Sequence, residues 1–166
     1  MKTYKLLTPG PLTTTDSVKQ EMLFDHCTWD EDYKQITQRI RRELLQLAHV
    51  DETAYTTVLM QGSGTFGVES VISSVIPDDG CLLLLSNGAY GERIAAMCRY
   101  HHINCVHIVQ DYDKMPDRMK AEEALEQHPE ITHIAMIHSE TTTGILNDIQ
   151  SIGELAKTYH KVFIVD

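Results

Sequence analysis

Three short stretches carry residues able to bind an anion and hold a proton. In "QGSGTFGVES", Gly62, Gly64 and Gly67 fall in the order G-x-G-x-x-G, with Ser63 and Thr65 between them. Glycines let a backbone approach a ligand closely, and the free N–H groups of a helix start face an anion. The hydroxyls of Ser63 and Thr65 add donors. "SNGAYGER" offers the ring of Tyr90, and "VFIVD" ends on the carboxylate of Asp166.

Several phosphate ligands compete for such a glycine turn. A dinucleotide needs an acidic residue at the end of the following strand for its ribose. Here that strand ends "LLLLSNGAYG", and Asp78 and Asp79 precede it. A kinase loop needs a lysine on a following strand, yet no lysine lies between Lys34 and Lys114. A P-loop needs Gly-Lys-Ser/Thr, which is missing. Pyridoxal phosphate makes three demands: a helix start for its phosphate, an aromatic against its ring, and a carboxylate at its pyridine nitrogen. Gly62 to Thr65, Tyr90 and Asp166 offer these from separate strand ends. A nucleotide-binding α/β module without catalysis stays open as an alternative.

The elements that must position these residues follow from periodicity. "YTTVLM", "CLLLLS", "INCVHIVQ", "ITHIAMIH" and "VFIVD" are short, apolar and unalternating, as in a parallel sheet covered on both faces. Between them lie "TFGVESVISSVI", "YGERIAAMCRY", "DRMKAEEALEQ" and "IQSIGELAKTYH", which read as helices. In the first of these, Val68, Val71, Ile72 and Val75 should share the buried face. Strands alternating with helices imply an α/β layered fold, with "VFIVD" an interior strand. Ligands gather at the carboxyl ends of strands in such sheets. Ahead of the alternation, Asp16 is expected to cap a short helix running to about Phe24. Asp30 should cap a longer one bearing Tyr33, Ile36, Ile40, Leu44 and Leu47 on one face. Residues 1–15, with Pro9-Gly10-Pro11 and five threonines, should run as an arm.

Composition narrows the class. The 166 residues are 42% hydrophobic and 23% charged, and the net charge of -10 argues against a general nucleic-acid or membrane-surface binder. No apolar run is long enough to span a bilayer, and the N-terminus lacks a signal-peptide pattern. Cys27, Cys81, Cys98 and Cys105 show no C-x-x-C spacing. The nine histidines, His101-His102 among them, show no metal-site spacing, so no metal is expected. A reduced, cytoplasmic protein is the expectation.

"GSGTFGVES", "SNGAYGER", "HSETTTGILNDI" and "VFIVD" together resemble the class-V aminotransferases of fold type I, which include alanine–glyoxylate and serine–pyruvate enzymes. "LLTPGPLTTTDSVKQEMLFDHCTWDEDY" is similar, more narrowly, to the 2-aminoethylphosphonate–pyruvate transaminases within that family. The resemblance covers the whole chain. It implies a pyridoxal 5'-phosphate enzyme, homodimeric when full length, moving an amino group from 2-aminoethylphosphonate to pyruvate. Ser63, Gly64 and Thr65 match the phosphate segment, Tyr90 the ring-stacking position and Thr141 a hydroxyl near the cofactor's phenolic oxygen. Asp166 matches the pyridine-nitrogen aspartate, and Thr8, Pro9 and Gly10 match a segment bordering the substrate. The family's cofactor-bonding lysine follows that aspartate, and none of Lys114, Lys120, Lys157 or Lys161 is expected in a comparable strand-end loop. Residues 16–166 therefore read as an incomplete large domain with the small C-terminal domain absent, inactive alone. An alanine–glyoxylate or serine–pyruvate type enzyme is the neighbouring alternative.

Overall fold

A computed structural model describes residues 4–8 and 10–166. The chain forms two compact units, Met1–Ser63 and Gly64–Asp166.

The first unit holds two helices, α1 (Asp16–Glu21) and α2 (Glu31–Leu47). Thr15, not Asp16, is the N-cap of α1, and the helix stops short of Phe24. Asp30 is the N-cap of α2, with Glu31 and Asp32 in the first turn where the helix dipole favours them. Neither helix buries a residue. The face of Tyr33, Ile36, Ile40, Leu44 and Leu47 thus stays accessible. The expected strand "YTTVLM" does not form. Residues 55–60 take no regular structure and pair with no strand among the described residues. Instead Arg41 ties them to α2: its Nε donates to the Thr57 carbonyl at 2.9 Å and its Nη2 to Thr56 Oγ1 at 2.8 Å. A strand exists only through a ladder, and apolar pattern alone supplies no partner.

In the second unit the alternation is realised. Its elements are α3 (Gly64–Val75), β1 (Cys81–Ser86), α4 (Ala89–Tyr100), β2 (Asn104–Val109) and α5 (Arg118–Gln127). After these come β3 (His133–Met136), the short strands β4 (Ser139–Glu140) and β5 (Ile145–Leu146), α6 (Ile149–Thr158) and β6 (Val162–Val165). Four strands form one parallel sheet in the order β2-β1-β3-β6. Every residue of β1 and β3 is buried. Their side chains alternate between two cores. Leu83, Leu85, Ile134 and Met136 meet Ala121, Leu125, Ile152 and Leu155 from α5 and α6. Leu82, Leu84 and Ala135 meet Ile72, Ile94, Ala95 and Cys98 from α3 and α4. This is an α/β fold with a parallel sheet covered on both faces.

Among the described residues β6 has only β3 beside it, and Val162 and Val165 are exposed. One expectation needs correction. On α3 the buried stripe is Val68 and Ile72, continued by Ile76, while Val71 and Val75 face solvent. The strict spacing of four follows one ridge of the helix, and the residues three apart fall off it.

Three helices, α2, α4 and α6, end alike. His49, His102 and His160 each adopt a positive φ of 53–58° just past the helix. Each helix closes with the paired bonds of a Schellman motif, such as Ile103 N–H to the Cys98 carbonyl at 2.9 Å and Lys161 N–H to the Ala156 carbonyl at 2.8 Å. That accounts for His102 of the His101-His102 pair. His101 itself lies 2.8 Å, Nε2 to Oε1, from Glu69 and ties α4 to α3.

Candidate active site

The strand order fixes where a ligand can sit. From β1 the chain crosses to β2 on one side, and then to β3 on the other. The sheet thus reverses between β1 and β3, and in open α/β sheets the crevice for a ligand opens at the carboxyl ends of such a pair. β1 leads there into Asn87-Gly88-Ala89-Tyr90, and β3 into the β4–β5 hairpin.

Two buried amides fix this rim. Asn87 Nδ2 donates to Asn147 Oδ1 at 2.9 Å, and Asn147 Nδ2 returns a bond to Asn87 Oδ1 at 3.0 Å. Asn147 also donates to the Ile137 carbonyl, and Asn87 to the Lys114 carbonyl, both at 2.9 Å. The end of β1, the end of β3, the hairpin and the loop after β2 are thereby held together. Gly144, at φ 78°, turns the hairpin in a conformation that a side chain disfavours.

Glu140, in the hairpin, is fully buried. Its Oε1 accepts from the Thr142 hydroxyl at 2.6 Å, and its Oε2 accepts from the Tyr90 N–H at 3.2 Å. The first turn of α4, whose amides have no helical partner, is thus capped by a carboxylate from a distant segment. Thr142 Oγ1 accepts from the Ala89 N–H at 3.2 Å in the same way. The approach is so close that a Cβ on Gly88 would fall on Cγ and Cδ of Glu140.

Tyr90, half-buried, starts α4. Arg93, one turn on, lays its guanidinium 4.8 Å from the centre of the Tyr90 ring. Its Nη1 donates to Thr65 Oγ1 at 2.8 Å, in the first turn of α3. Asp166 continues the ladder beyond β6: its N–H donates to the Met136 carbonyl at 3.1 Å, and its carbonyl accepts from the His138 N–H at 2.7 Å. Partial burial pushes the Asp166 carboxyl above the usual carboxylate range. Glu140 pushes it further, and Arg93 pulls it back. Thr65, Tyr90 and Asp166 therefore share one neighbourhood, linked by two residues that the motifs did not single out, Arg93 and Glu140.

The other residues expected at a site are placed as follows. Gly64 opens α3. Thr141 is exposed on the hairpin between Glu140 and Thr142. Ser63 closes the first unit, which also contains Thr8 and Gly10. The Thr8 hydroxyl donates to the Pro11 carbonyl, and Pro9 lies outside the described residues. Lys114 stands in the loop after β2, where its ammonium pairs with Asp111, which raises its pKa.

A second cluster lies under α4. Ser86 Oγ is 2.7 Å from His107 Nε2 and 3.3 Å from Glu92 Oε1. It is no catalytic triad. Glu92 approaches the same Nε2, at 3.8 Å, whereas a relay needs the carboxylate on Nδ1. Ser86 is buried, and Gly91 of α4 lies directly against its Cβ.

The family model "Aminotransferase class-V" matches residues 25–166. The chain belongs to the class-V aminotransferase family. Among curated relatives, the 2-aminoethylphosphonate–pyruvate transaminase of Lysinibacillus sphaericus is 56% identical, over 100% of this chain and 45% of its own length. That of Bacillus cytotoxicus is 54% identical, over 98% of this chain and 45% of its own. This class-V chain thus spans a little under half the length of the relatives it matches. Solved structures share its fold. Ureidoglycine–glyoxylate aminotransferase from Bacillus subtilis gives a TM-score of 0.87 at 22% identity, over 100% of this chain and 42% of that one. Alanine–glyoxylate aminotransferase from Nostoc gives 0.85 at 22%, over 100% and 45%. Among the described residues, no helix is long and apolar enough to cross a membrane.

Proposed function

We propose that this chain is the cofactor-binding part of a pyridoxal 5'-phosphate aminotransferase that takes the amino group of 2-aminoethylphosphonate to pyruvate, giving phosphonoacetaldehyde and alanine. The observation that carries the cofactor reading is the linked set Thr65–Arg93–Tyr90 beside Asp166. A hydroxyl, a guanidinium and a helix start suit a phosphate, a ring suits a ring, and a carboxylate suits a pyridine nitrogen. The donor reading rests on relatives of that name that are more than half identical along the full chain.

When bound, the cofactor supplies an electrophilic carbonyl conjugated to an electron-withdrawing ring. This chain's residues have separate jobs around it. Ser63, Gly64 and Thr65 hold the phosphate and so fix the ring's register. Tyr90 covers one ring face and excludes water there. Thr141 offers its hydroxyl to the ring's phenolic oxygen. Asp166 holds a proton at the pyridine nitrogen, and its raised affinity for protons suits a shared hydrogen bond there. Thr8, Pro9 and Gly10 border the substrate. A homodimer in the cytoplasm completes the proposal, in line with the family resemblance.

The experiment uses the full-length protein. It should bind pyridoxal phosphate with an absorption band in the visible, and turn over 2-aminoethylphosphonate with pyruvate. Much faster turnover of alanine with glyoxylate would replace the proposed donor. No visible band on adding the cofactor would overturn the cofactor reading itself.

A further inference from the structure

Arg93 is a site residue whose charge has no ion-pair partner: Asp166 feels it, but without a contact close enough for a salt bridge. The chain carries 24 acidic side chains against 14 basic ones, so an arginine here should readily find a carboxylate. Among the described residues it makes no ion pair. Glu92, its neighbour in sequence, points to Ser86 and His107. Glu140 is occupied by Thr142 and Tyr90. What holds the guanidinium is one neutral hydroxyl, Thr65 Oγ1 at 2.8 Å, and the face of Tyr90. One N–H is committed, and the exposed head keeps the rest of its five donors. A planar fork with donors to spare matches the oxygens of a phosphate or phosphonate, which it can hold bidentately.

We propose that Arg93 is a recognition residue of this site for a tetrahedral phosphorus dianion, resting on Thr65 and Tyr90 until that dianion arrives. The inference rests on the cofactor reading above and adds to it a residue from α4. Two sources share this chemistry, the 5'-phosphate of the cofactor and the phosphonate of the amino donor. Stacked on Tyr90, the guanidinium is already oriented, so little side-chain entropy is lost on binding.

The test compares the full-length protein with R93M and R93K. Dissociation constants are measured by titration for pyridoxal phosphate and for pyridoxal, which lacks the phosphate. KM is measured for 2-aminoethylphosphonate and for pyruvate. Losing a charge-assisted pair should weaken the dianion by about tenfold to a hundredfold. If the cofactor's phosphate is the ligand, R93M loses pyridoxal phosphate by that factor and leaves pyridoxal unchanged. If the donor's phosphonate is the ligand, KM for 2-aminoethylphosphonate rises by that factor, with cofactor affinity and the KM for pyruvate unchanged. R93K should recover part of either loss. Equal losses of pyridoxal phosphate and pyridoxal would mean a merely structural role and overturn the proposal, as would no change in either arm. Failure of the parent protein to bind pyridoxal phosphate would instead sink the cofactor reading, and this inference with it. Arg93 is exposed, so melting temperatures should stay level and separate folding from recognition.

Discussion

Gly88→Ala is the sharpest single perturbation of the rim. The added methyl would fall on Cγ and Cδ of Glu140 and come within 2.7 Å of its Oε2. Glu140 is fully buried and cannot swing into solvent without leaving its partners. If the backbone moves instead, the strain is that of an overpacked core, about 1–3 kcal/mol. If Glu140 moves, the Tyr90 N–H and the Thr142 hydroxyl lose their acceptor, at about 1–3 kcal/mol for a buried polar group left unmatched. Either route gives roughly 1–3 kcal/mol of lost stability. Urea unfolding of the parent and the variant reads this as a lower midpoint at unchanged slope. The decisive measurement is the double-mutant cycle with Glu140→Ala. That substitution empties the space the methyl needs, so Gly88→Ala should cost less in its presence, with a coupling of about 1–3 kcal/mol. A Gly88→Ala cost below about 0.5 kcal/mol, or one unchanged by Glu140→Ala, would refute the idea that Glu140 packs against this glycine.

Three further outcomes are expected. His102→Gly and His160→Gly should each stabilise the fold by about 0.5–1 kcal/mol in thermal or urea unfolding, because glycine adopts the left-handed cap conformation without penalty. His107 and His133 have pKa values lowered chiefly by burial. The unfolded chain therefore binds more protons than the folded one, and stability is full above the ordinary histidine value of 6.5 and falls as pH drops below it. Unfolding free energy measured between about pH 7.5 and 5 should show that decline, with a shallower slope in His107→Gln. Asn147→Ala should cost about 2–4 kcal/mol in urea unfolding, since it strips partners from the buried Asn87 amide and the Ile137 carbonyl.

The second unit was legible in the sequence because its local and long-range signals coincide. An unalternating run such as Leu82–Leu85 demands cover on both faces: α3 and α4, on either side of it in sequence, cover one, and α5 and α6, further along the chain, cover the other. "YTTVLM" carries the same local signal and forms no strand, since a ladder needs a neighbour and this pattern names none. β6 follows the first pattern: its apolar character predicts a strand, and it pairs in parallel with β3. The hairpin β4–β5 was hidden for a different reason. Two-residue strands have no periodicity to read, and only Gly144 marks the turn.

The site divides along the same line. Tyr90 and Asp166 stand out because each follows an apolar strand, where sheets of this kind present their ligands. Arg93 and Glu140 do not stand out. In sequence, Arg93 is one more charge on an amphipathic helix, and Glu140 one more acid in a polar turn. Their roles come from the strand order, which brings the end of β3 beside the start of α4. Only then does Glu140 cap Tyr90, and only then does Asp166 feel Glu140 on one side and Arg93 on the other. The groups that would touch a ligand can thus be read from strand-end positions. The groups that set their charge come from segments far away in sequence, and they emerge only from the fold. The Asp166 carboxyl is thus raised first by the burial its strand-end position imposes, then by Glu140 of β4, with Arg93 of α4 pulling it back.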